Sequence, residues 1–307
     1  MKTSALARNP FNDQYKIGTP FDLDDEPAYQ SWVEEKMDNY PQHIEDIIVE
    51  VANPADLSTA ERARITQLCK KTNMVIYAGN TGTDDDKEIP ARLGRQFKLY
   101  LADNNRGADD GITALRVVND EWRSEYIPYT NHLIHWHTDG YYNAMNYQIR
   151  ALLLHCVQPA SSGGENALLD HEIAYIHLRQ KNSAYIRALM AADAMTIPAN
   201  INKQGEIIRP ERCGPVFSVD ADGKLHMRYT ARTRSIIWKD DVITRQAVKQ
   251  LADFLVSDSP YIFRGTLQSG QGLISNNVLH DRSAFEDTGD SHRLLYRLRY
   301  FQRIAAT

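Results

Sequence analysis

The stretch His135-Trp136-His137-Thr138-Asp139-Gly140 is the part of the sequence from which we infer the fold of this chain. His137 and Asp139 are two residues apart, and side chains at that spacing on a β-strand point to the same face. An imidazole and a carboxylate so placed can bind one metal ion. With a distant second histidine the set suits non-heme Fe(II). The alternative is a strand end at which Asp-Gly begins an ordinary turn.

Composition excludes several classes of protein. The chain has 307 residues and a net charge of -5, which does not indicate a nucleic-acid-binding protein. Cys69, Cys156 and Cys213 form no CxxC pair, so we expect reduced thiols in a cytoplasmic protein. Met1–Asn12 has no signal-peptide pattern, and no apolar run is long enough to span a membrane.

Hydrophobic spacing and capping signals predict the order of helices and strands. The predicted helices are Glu26–Tyr40, Ser58–Lys71, Ile89–Leu99, His171–Arg179, Ser183–Ala191 and Asp241–Ser257. The predicted strands are Asp46–Val51, Met74–Ala78, Thr113–Val118, Gln148–Val157, Val216–Val219, Leu225–Ala231, Tyr261–Leu267, Gly272–Leu279 and Leu294–Phe301.

Strands dominate from Gly111 onward, which predicts a mainly β chain with flanking helices (α+β) and a jelly-roll core. We expect a single domain over residues 1–307, with residues 1–25 as an extended N-terminal arm. A parallel α/β fold would need stricter alternation of strands and helices. The Gly163-Gly164 pair lacks the downstream Lys-Ser/Thr of a phosphate-binding loop.

His280 is the candidate for the second histidine ligand, because it ends the apolar strand predicted just before it. The alternative is a turn histidine at the end of a hairpin. His135 is a rival ligand, since it shares strand parity with His137.

The segment from Arg293 to Phe301 is predicted to be a strand with Arg293, Arg297 and Arg299 on one face. Both faces also carry large apolar side chains, so we expect the strand to be buried. A buried guanidinium is costly without an anion, and its planar fork suits a carboxylate. The segment therefore predicts a bound carboxylate, unless the partner is an internal Asp or Glu or the strand is a solvated edge.

Four motifs in this order resemble the taurine dioxygenase (TauD/TfdA) family of Fe(II)/2-oxoglutarate oxygenases. They are His137-x-Asp139, Gly163-Gly164-Glu165-Asn166, His280 and Arg293-x-x-x-Arg297, and Trp136-His137-Thr138-Asp139 looks like the family's W-H-T-D. The resemblance runs from about Met74 to the C-terminus. It implies a double-stranded β-helix with Fe(II) held by His137, Asp139 and His280.

The resemblance also implies binding roles for residues around the metal. Arg293 is expected to bind the distal carboxylate of 2-oxoglutarate, and Asn166 stands where the family usually has a cosubstrate-binding Thr. Arg297 matches the arginine that often grips the anionic group of the primary substrate. The expected reaction uses O2 to hydroxylate a C–H bond of a small anionic molecule, with release of succinate and CO2.

Residues near these motifs are further candidates for substrate contacts. These candidates are Asn131, Tyr141, Tyr142 and Arg232. Arg228, Arg232 and Arg234 share strand parity and are interpreted as a cationic face for the substrate. The alternatives are turn or core aromatics for the two tyrosines and a solvated face for the arginines.

Other functions compete with this interpretation. A biosynthetic hydroxylase of a sugar acid such as Kdo, or of a natural product, would use the same motifs. A metal-dependent cupin isomerase would not need the paired Arg293 and Arg297. A non-catalytic barrel protein would not need the metal ligands. A halogenase binds chloride at the position of the carboxylate ligand, which Asp139 occupies here. The sequence leaves the substrate, and whether the chain forms a homo-oligomer, open.

Overall fold

The structure is a computed structural model that describes residues 18–104, 110–118, 127–202, 204–232, 234, 236–289 and 292–307. Of the arm expected at residues 1–25, residues 1–17 lie outside these ranges. The remainder is not an extended arm, because Phe21 is buried with its ring edge-on to Trp32 and Tyr175. No helix in the described ranges is long and apolar enough to cross a membrane.

The helices follow the sequence pattern closely. They are α1 Glu26–Met37, α2 Thr59–Thr72, α3 Glu88–Gln96, α4 His171–Lys181, α5 Ser183–Leu189 and α6 Val242–Leu255, with short 3₁₀ turns at Ile44–Ile47, Ile127–Tyr129 and Met145–Tyr147. The start of α2 is one example, because Ser58 and Glu61 form the capping box that their spacing predicted: each side chain accepts from the backbone N–H of the other. Asn73 ends the helix in the left-handed conformation.

The strands are more numerous and shorter than predicted. They are β1 Ile48–Val51, β2 Met74–Gly79, β3 Ile112–Leu115, β4 Ile134–His137, β5 Ala151–Gln158, β6 Ser162–Gly163, β7 Asn166–Leu169, β8 Met195–Ile197, β9 Asn200–Ile201, β10 Ile207–Arg209, β11 Arg212–Gly214, β12 Phe217–Val219, β13 Leu225–Met227, β14 Ile237–Trp238, β15 Phe263–Gly265, β16 Gln271–Ser275, β17 Leu279–Arg282, β18 Phe285–Glu286 and β19 Leu294–Tyr300.

The chain divides into two compact units, where the sequence analysis expected one domain. Unit 1 comprises Met1–Asn39, Ala174–Arg228 and Thr233–Asp253. Unit 2 comprises Tyr40–Ile173, Tyr229–Arg232 and Phe254–Thr307. All the candidate site residues except Arg228 and Arg234 belong to unit 2.

Unit 2 is built on two larger sheets. One has the strand order β1-β2-β16-β5-β19-β3, in which β1 and β2 are parallel and the other neighbours antiparallel. The second is antiparallel with the order β15-β7-β17-β4, and β6 pairs with β18 separately. An apolar core that includes Ile65 and Leu68 of α2 and Val75 of β2 joins the first sheet to its helices. The protein is therefore mainly sheet with flanking helices, as expected.

Unit 1 contains small antiparallel pairings within the described ranges. Strand β8 lies between β11 and β14, β9 pairs with β10, and β12 pairs with β13. The guanidinium of Arg179 stacks over Tyr29, with 3.7 Å between its central carbon and the ring centroid, and helps to join α4 to α1.

The prediction of a single strand over Gly272–Leu279 is wrong. Strand β16 belongs to the larger sheet and β17 to the smaller one. Between them Asn277 has a φ of +54°, which no continuous pleated strand allows. The apolar run conceals this break, which carries the chain from one sheet to the other just before His280.

Candidate active site

The two candidate histidine ligands lie side by side on neighbouring strands. His137 ends β4, His280 lies on β17, and the two are register partners with ring centroids 4.2 Å apart. The Nδ1 atom of His137 lies 2.9 Å from the carbonyl oxygen of His135, and that of His280 lies 3.0 Å from the carbonyl oxygen of Val278. Each Nδ1 therefore carries the proton, which leaves the Nε2 atom of each ring as the nitrogen with a lone pair for a metal ion.

Asp139 supplies a carboxylate next to these rings, although not from a strand. β4 ends at His137, so Asp139 lies in the turn that follows and the strand-parity argument does not apply to it. Its side chain is 5% exposed, and its Oδ2 atom is buried without a hydrogen-bond partner in the described residues. A buried carboxylate oxygen without a partner is costly, and a metal ion would satisfy it.

The donor chemistry of these three residues fits an iron site. Within the described ranges no three His, Cys, Asp or Glu side chains are grouped closely enough to hold a metal ion as they stand. Two imidazole nitrogens and one carboxylate oxygen are nevertheless neighbours, and burial together with His280 lowers the pKa of His137 to about 3, so its ring is neutral at pH 7. His135, the alternative ligand, has an exposed side chain. Its carbonyl oxygen accepts the hydrogen bond from Nδ1 of His137.

Two arginines converge on the other oxygen of Asp139. Its Oδ1 lies 3.3 Å from Nη1 of Arg297 and 3.9 Å from Nη1 of Arg299. Burial alone would raise the pKa of Asp139, but Arg297 and Arg299 hold it well below its usual range. Arg297 therefore has an internal Asp partner, Asp139, which was the alternative to a bound carboxylate for the basic strand.

Arg299 is fixed by two residues of its own. Its Nη1 donates to the hydroxyl oxygen of Tyr142 at 2.8 Å, and its Nη2 pairs with Asp103, whose backbone N–H in turn donates to the Arg299 carbonyl at 2.7 Å. Burial would lower the pKa of Arg299, but Tyr142, Asp139 and Asp103 together raise it. Sequence analysis missed Asp103, because no motif surrounds it and only the fold brings it to Arg299.

Arg293 lies before β19 and is 4% exposed. Its guanidinium lies over the ring of Phe285 at 5.0 Å, and Arg282 lies over the same ring at 4.8 Å. Burial lowers the pKa of both groups. Arg293 lowers the pKa of Arg282 further, to about 9, whereas Cys156 and Asp287 act in the opposite direction on Arg293. Only the backbone N–H of Arg293 reaches a carboxylate, that of Asp287 at 3.1 Å, and among the described residues no carboxylate pairs with its guanidinium.

The glycine pair Gly163-Gly164 lies next to the Arg293 guanidinium. Gly163 has a φ of +71°, and a Cβ atom there would lie 2.3 Å from the carbonyl oxygen of Ala284. A Cβ atom on Gly164 would lie 3.7 Å from Nε of Arg293. The absence of side chains lets β6 approach β18 and leaves space in front of the Arg293 guanidinium.

Asn166 and Asn131 lie on either side of β17 and the loop after it. The side-chain amide of Asn166 donates to the carbonyl oxygen of Asp281 at 2.7 Å, so one of its two N–H groups is used within the protein. Asn131 is exposed, and its carbonyl oxygen accepts from the N–H of Phe285 at 3.1 Å. Arg282 donates to the carbonyl oxygens of the residues on each side of Asn131 and so holds that loop.

Tyr141 and Arg232 meet beside the metal-ligand strand. The segment Tyr229–Arg232 pairs with β4 through a bridge between Thr230 and His137. The Tyr141 hydroxyl is hydrogen-bonded to Thr230 and Arg232, and its ring lies edge-on to Tyr142. Arg232 is exposed.

The cationic face predicted for Arg228, Arg232 and Arg234 is wrong. Strand β13 ends at Met227, so strand parity does not extend to these residues. Arg228 is buried in unit 1, and its guanidinium donates to three backbone carbonyl oxygens, those of Met195, Gly214 and Arg212. Arg232 belongs to unit 2, where it interacts with Tyr141.

Solved structures with a similar fold are iron oxygenases. The non-heme iron oxygenase OrfP in complex with Fe and alpha-ketoglutaric acid matches with a TM-score of 0.56 and 17% sequence identity, over 83% of this chain and 82% of that one. Asparagine oxygenase in complex with Fe(II), hydroxyasparagine and succinate matches with a TM-score of 0.55 and 14% identity, over 80% of each chain. At these identities the likeness concerns the fold.

Curated relatives and a family model match the sequence itself. A uridine-5'-phosphate dioxygenase of Amycolatopsis sp is 33% identical over 172 residues, which are 54% of this chain and 60% of that protein. One of Streptomyces sp is 30% identical over 169 residues, which are 53% of this chain and 59% of that protein. The match thus spans about 60% of the relatives' length. The family model "Taurine catabolism dioxygenase TauD, TfdA family" matches residues 37–299, and the chain belongs to this family.

Proposed function

We propose that this protein is an Fe(II)- and 2-oxoglutarate-dependent dioxygenase that hydroxylates a C–H bond of a small anionic substrate. The observation that carries the proposal is Arg293, a buried guanidinium without an anionic partner in the described residues. A dicarboxylate cosubstrate would supply that partner. We further infer that the two sheets of unit 2 form a jelly roll around this site. A metal-dependent isomerase would leave Arg293 unexplained.

The metal would be held by Nε2 of His137, Nε2 of His280 and Oδ2 of Asp139. Bound Fe(II) with 2-oxoglutarate supplies the activation of O2, the loss of CO2 to give succinate and the oxidation of the C–H bond. Arg297 and Arg299 keep Asp139 ionised and occupy its Oδ1, which directs Oδ2 to the metal. Arg293 holds the distal carboxylate, and the second amide N–H of Asn166 is available to it.

The proposal predicts that Arg293→Ala weakens 2-oxoglutarate binding far more than iron binding. Removing one partner of a buried, charge-assisted pair typically costs about 2–5 kcal/mol, or roughly 30- to several-thousand-fold in affinity. The measurement is anaerobic titration of 2-oxoglutarate at saturating Fe(II). Arg228→Ala is the control, because it removes a buried arginine of unit 1 whose guanidinium donates to three backbone carbonyl oxygens. An unchanged 2-oxoglutarate affinity in Arg293→Ala would refute the clamp.

We infer that the anionic group of the primary substrate binds at Arg232 and Tyr141. Both lie beside His137, and exposed Arg232 has a guanidinium suited to an oxyanion. Because relatives are named uridine-5'-phosphate dioxygenases, a nucleoside 5'-monophosphate is the first substrate to test. Asn131 and Tyr142 would line the approach. We place the enzyme in the cytoplasm, where its three free cysteines stay reduced.

This substrate assignment is tested by comparing uridine 5'-monophosphate with uridine in an assay of succinate release. Arg232→Ala should raise the KM for the phosphate roughly 10- to 150-fold, as expected for a hydrogen-bonded charged group. Exposed Arg234, two residues further on, provides the control variant Arg234→Ala, which should behave as wild type. Equal effects of the two variants, or preferred turnover of the uncharged nucleoside, would refute the anion subsite. Sugar acids belong in the same screen.

A further inference from the structure

Asn277 joins the two segments that carry the metal ligands. It lies between β16 and β17 and is 1% exposed. Its Oδ1 accepts from the backbone N–H of Asp139 at 2.8 Å, and its Nδ2 donates to the carbonyl oxygens of Asp139 at 2.9 Å and Ile149 at 2.8 Å. The oxygen and both N–H groups of one amide are therefore all used.

These bonds replace the strand ladder that Asp139 lacks. Strand β4 ends at His137, so no strand pairing fixes the peptide of Asp139. Asn277 fixes both the N–H and the carbonyl group of that residue instead. Its φ of +54° is one that asparagine tolerates better than most residues, so the position suits this side chain both in backbone and in hydrogen bonding.

We propose that Asn277 is a positioning residue of the metal site. It ties the backbone of Asp139 to the segment that ends in His280, and so sets the distance between the carboxylate and the two imidazoles. The inference rests on the proposed function for the metal, and goes beyond it by assigning iron affinity to a residue that touches neither iron nor substrate. Partners that orient metal ligands typically change metal affinity roughly 10- to 100-fold when they are removed.

The neighbouring residue Asn276 is a matched control. It is equally buried, and its side chain also makes three hydrogen bonds. They join Nδ2 to Oδ1 of Asn73 at 3.0 Å and to Oγ1 of Thr307 at 2.9 Å, and Oδ1 to the N–H of Ile304 at 3.2 Å. None of them reaches Asp139, so a substitution there loses similar bonds without moving the metal ligand.

The experiment compares Asn277→Gly with Asn276→Ala. Glycine accepts the positive φ, so the first variant removes the side chain without backbone strain. Fe(II) affinity is measured by anaerobic titration without 2-oxoglutarate, and stability by urea unfolding. Both variants should lose stability. The Fe(II) dissociation constant should rise roughly 10- to 100-fold in Asn277→Gly and stay close to wild type in Asn276→Ala.

Equal Fe(II) affinities in the two variants would overturn the inference. If Asn277→Gly does not fold, Asn277→Ser replaces it, since a hydroxyl has one donor and cannot make both of the donated contacts. Wild-type affinity in that variant also overturns the inference. His280→Ala separates the two proposals. If His280→Ala leaves Fe(II) binding intact, the proposed metal site itself fails. If His280→Ala loses Fe(II) binding while Asn277→Gly binds Fe(II) normally, only the role of Asn277 is refuted.

Discussion

At the level of one residue, the two carboxylate oxygens of Asp139 have different surroundings. Its Oδ1 faces two guanidinium groups, while its Oδ2 has no partner among the described residues. Arg299 is in turn balanced by Asp103, so two acids and two arginines form a nearly neutral group. The carboxylate therefore stays ionised in a buried place, and Oδ2 is the oxygen that would bind the metal in the proposed site.

Arg297→Gln tests this division of roles. Glutamine keeps one hydrogen bond to Asp139 but removes the charge, so we expect Fe(II) affinity to fall roughly 10- to 100-fold. At saturating Fe(II), 2-oxoglutarate affinity should stay near wild type. Anaerobic titrations of the two ligands give both values. If instead only the KM of the substrate rises, Arg297 serves the substrate, as the family resemblance implied.

Individual residues differ in how far the sequence reveals them. The spacing of His137 and Asp139 alone is a weak signal, and the ligand set with His280 was predicted only from the order of the motifs that resemble the family. Strand parity correctly placed Arg297 and Arg299 together, since both reach Asp139, but Arg293, which was grouped with them, lies before β19 and over Phe285. Asn277 was hidden in an apolar run, since a positive φ leaves no trace in hydrophobic periodicity.

At the level of elements, a row of residues crosses the larger sheet. Tyr77, Gly272, His155 and Tyr296 are successive register partners on β2, β16, β5 and β19. A Cβ atom on Gly272 would lie 2.3 Å from the Tyr77 hydroxyl, so glycine is what lets that hydroxyl reach Nδ1 of His155 at 2.9 Å. The His155 ring is buried, and its Nε2 has no partner within the described ranges.

His155 should make the folded protein sensitive to mild acid. Burial lowers the pKa of His155 from 6.5 to about 4, so the unfolded chain takes up a proton that the folded chain refuses. The contribution of His155 to the free energy of unfolding is fully present above pH 6.5 and is lost as the pH falls towards 4. Between pH 7 and pH 5 this group should remove about 2 kcal/mol from the free energy of unfolding.

Urea unfolding of wild type and His155→Gln at these two pH values measures that contribution. Glutamine keeps a polar partner for Tyr77 without titrating, so its unfolding free energy should fall by about 2 kcal/mol less than wild type. Other histidines contribute equally to both proteins and cancel. The same pH dependence in the two proteins would show that His155 is protonated at little cost in the fold.

The glycine pair beside Arg293 yields a second prediction at this level. Gly163→Ala places a Cβ atom against the Ala284 carbonyl and requires a positive φ, so β6 must move from β18. We expect weaker 2-oxoglutarate binding with Fe(II) affinity near wild type. Gly205→Ala is the control, because Gly205 also has a positive φ but a Cβ atom there meets nothing within 4 Å. Equal 2-oxoglutarate affinities in the two variants would contradict the prediction.

For the molecule as a whole, overall composition does not forecast the character of the site. The chain is acidic, with a net charge of -5, yet Arg282, Arg293 and Arg299 are all buried in the unit that carries the metal ligands. The division into two units was likewise not visible in the sequence. Unit 1 is assembled from three separate segments, and only tertiary contacts reveal that grouping.

Cosubstrate binding should therefore stabilise the folded protein measurably. A buried arginine without an anion destabilises the fold, and a ligand present at about 100 times its dissociation constant contributes about 2.7 kcal/mol. At roughly 2–4 °C per kcal/mol for chains of comparable size, 2-oxoglutarate with Fe(II) should raise the anaerobic Tm by several degrees above Fe(II) alone.

Two variants show where that stabilisation originates. Arg293→Ala should lose the 2-oxoglutarate-dependent rise and keep the Fe(II)-dependent one, whereas His280→Ala should lose both, because the cosubstrate is expected to bind through the metal as well as through Arg293. Glutarate, which keeps both carboxylates but lacks the 2-oxo group, should stabilise wild type less than 2-oxoglutarate. Should 2-oxoglutarate raise the Tm of Arg293→Ala as much as that of wild type, the unpaired guanidinium is not the cosubstrate's anchor, and the anion that satisfies it must be sought elsewhere.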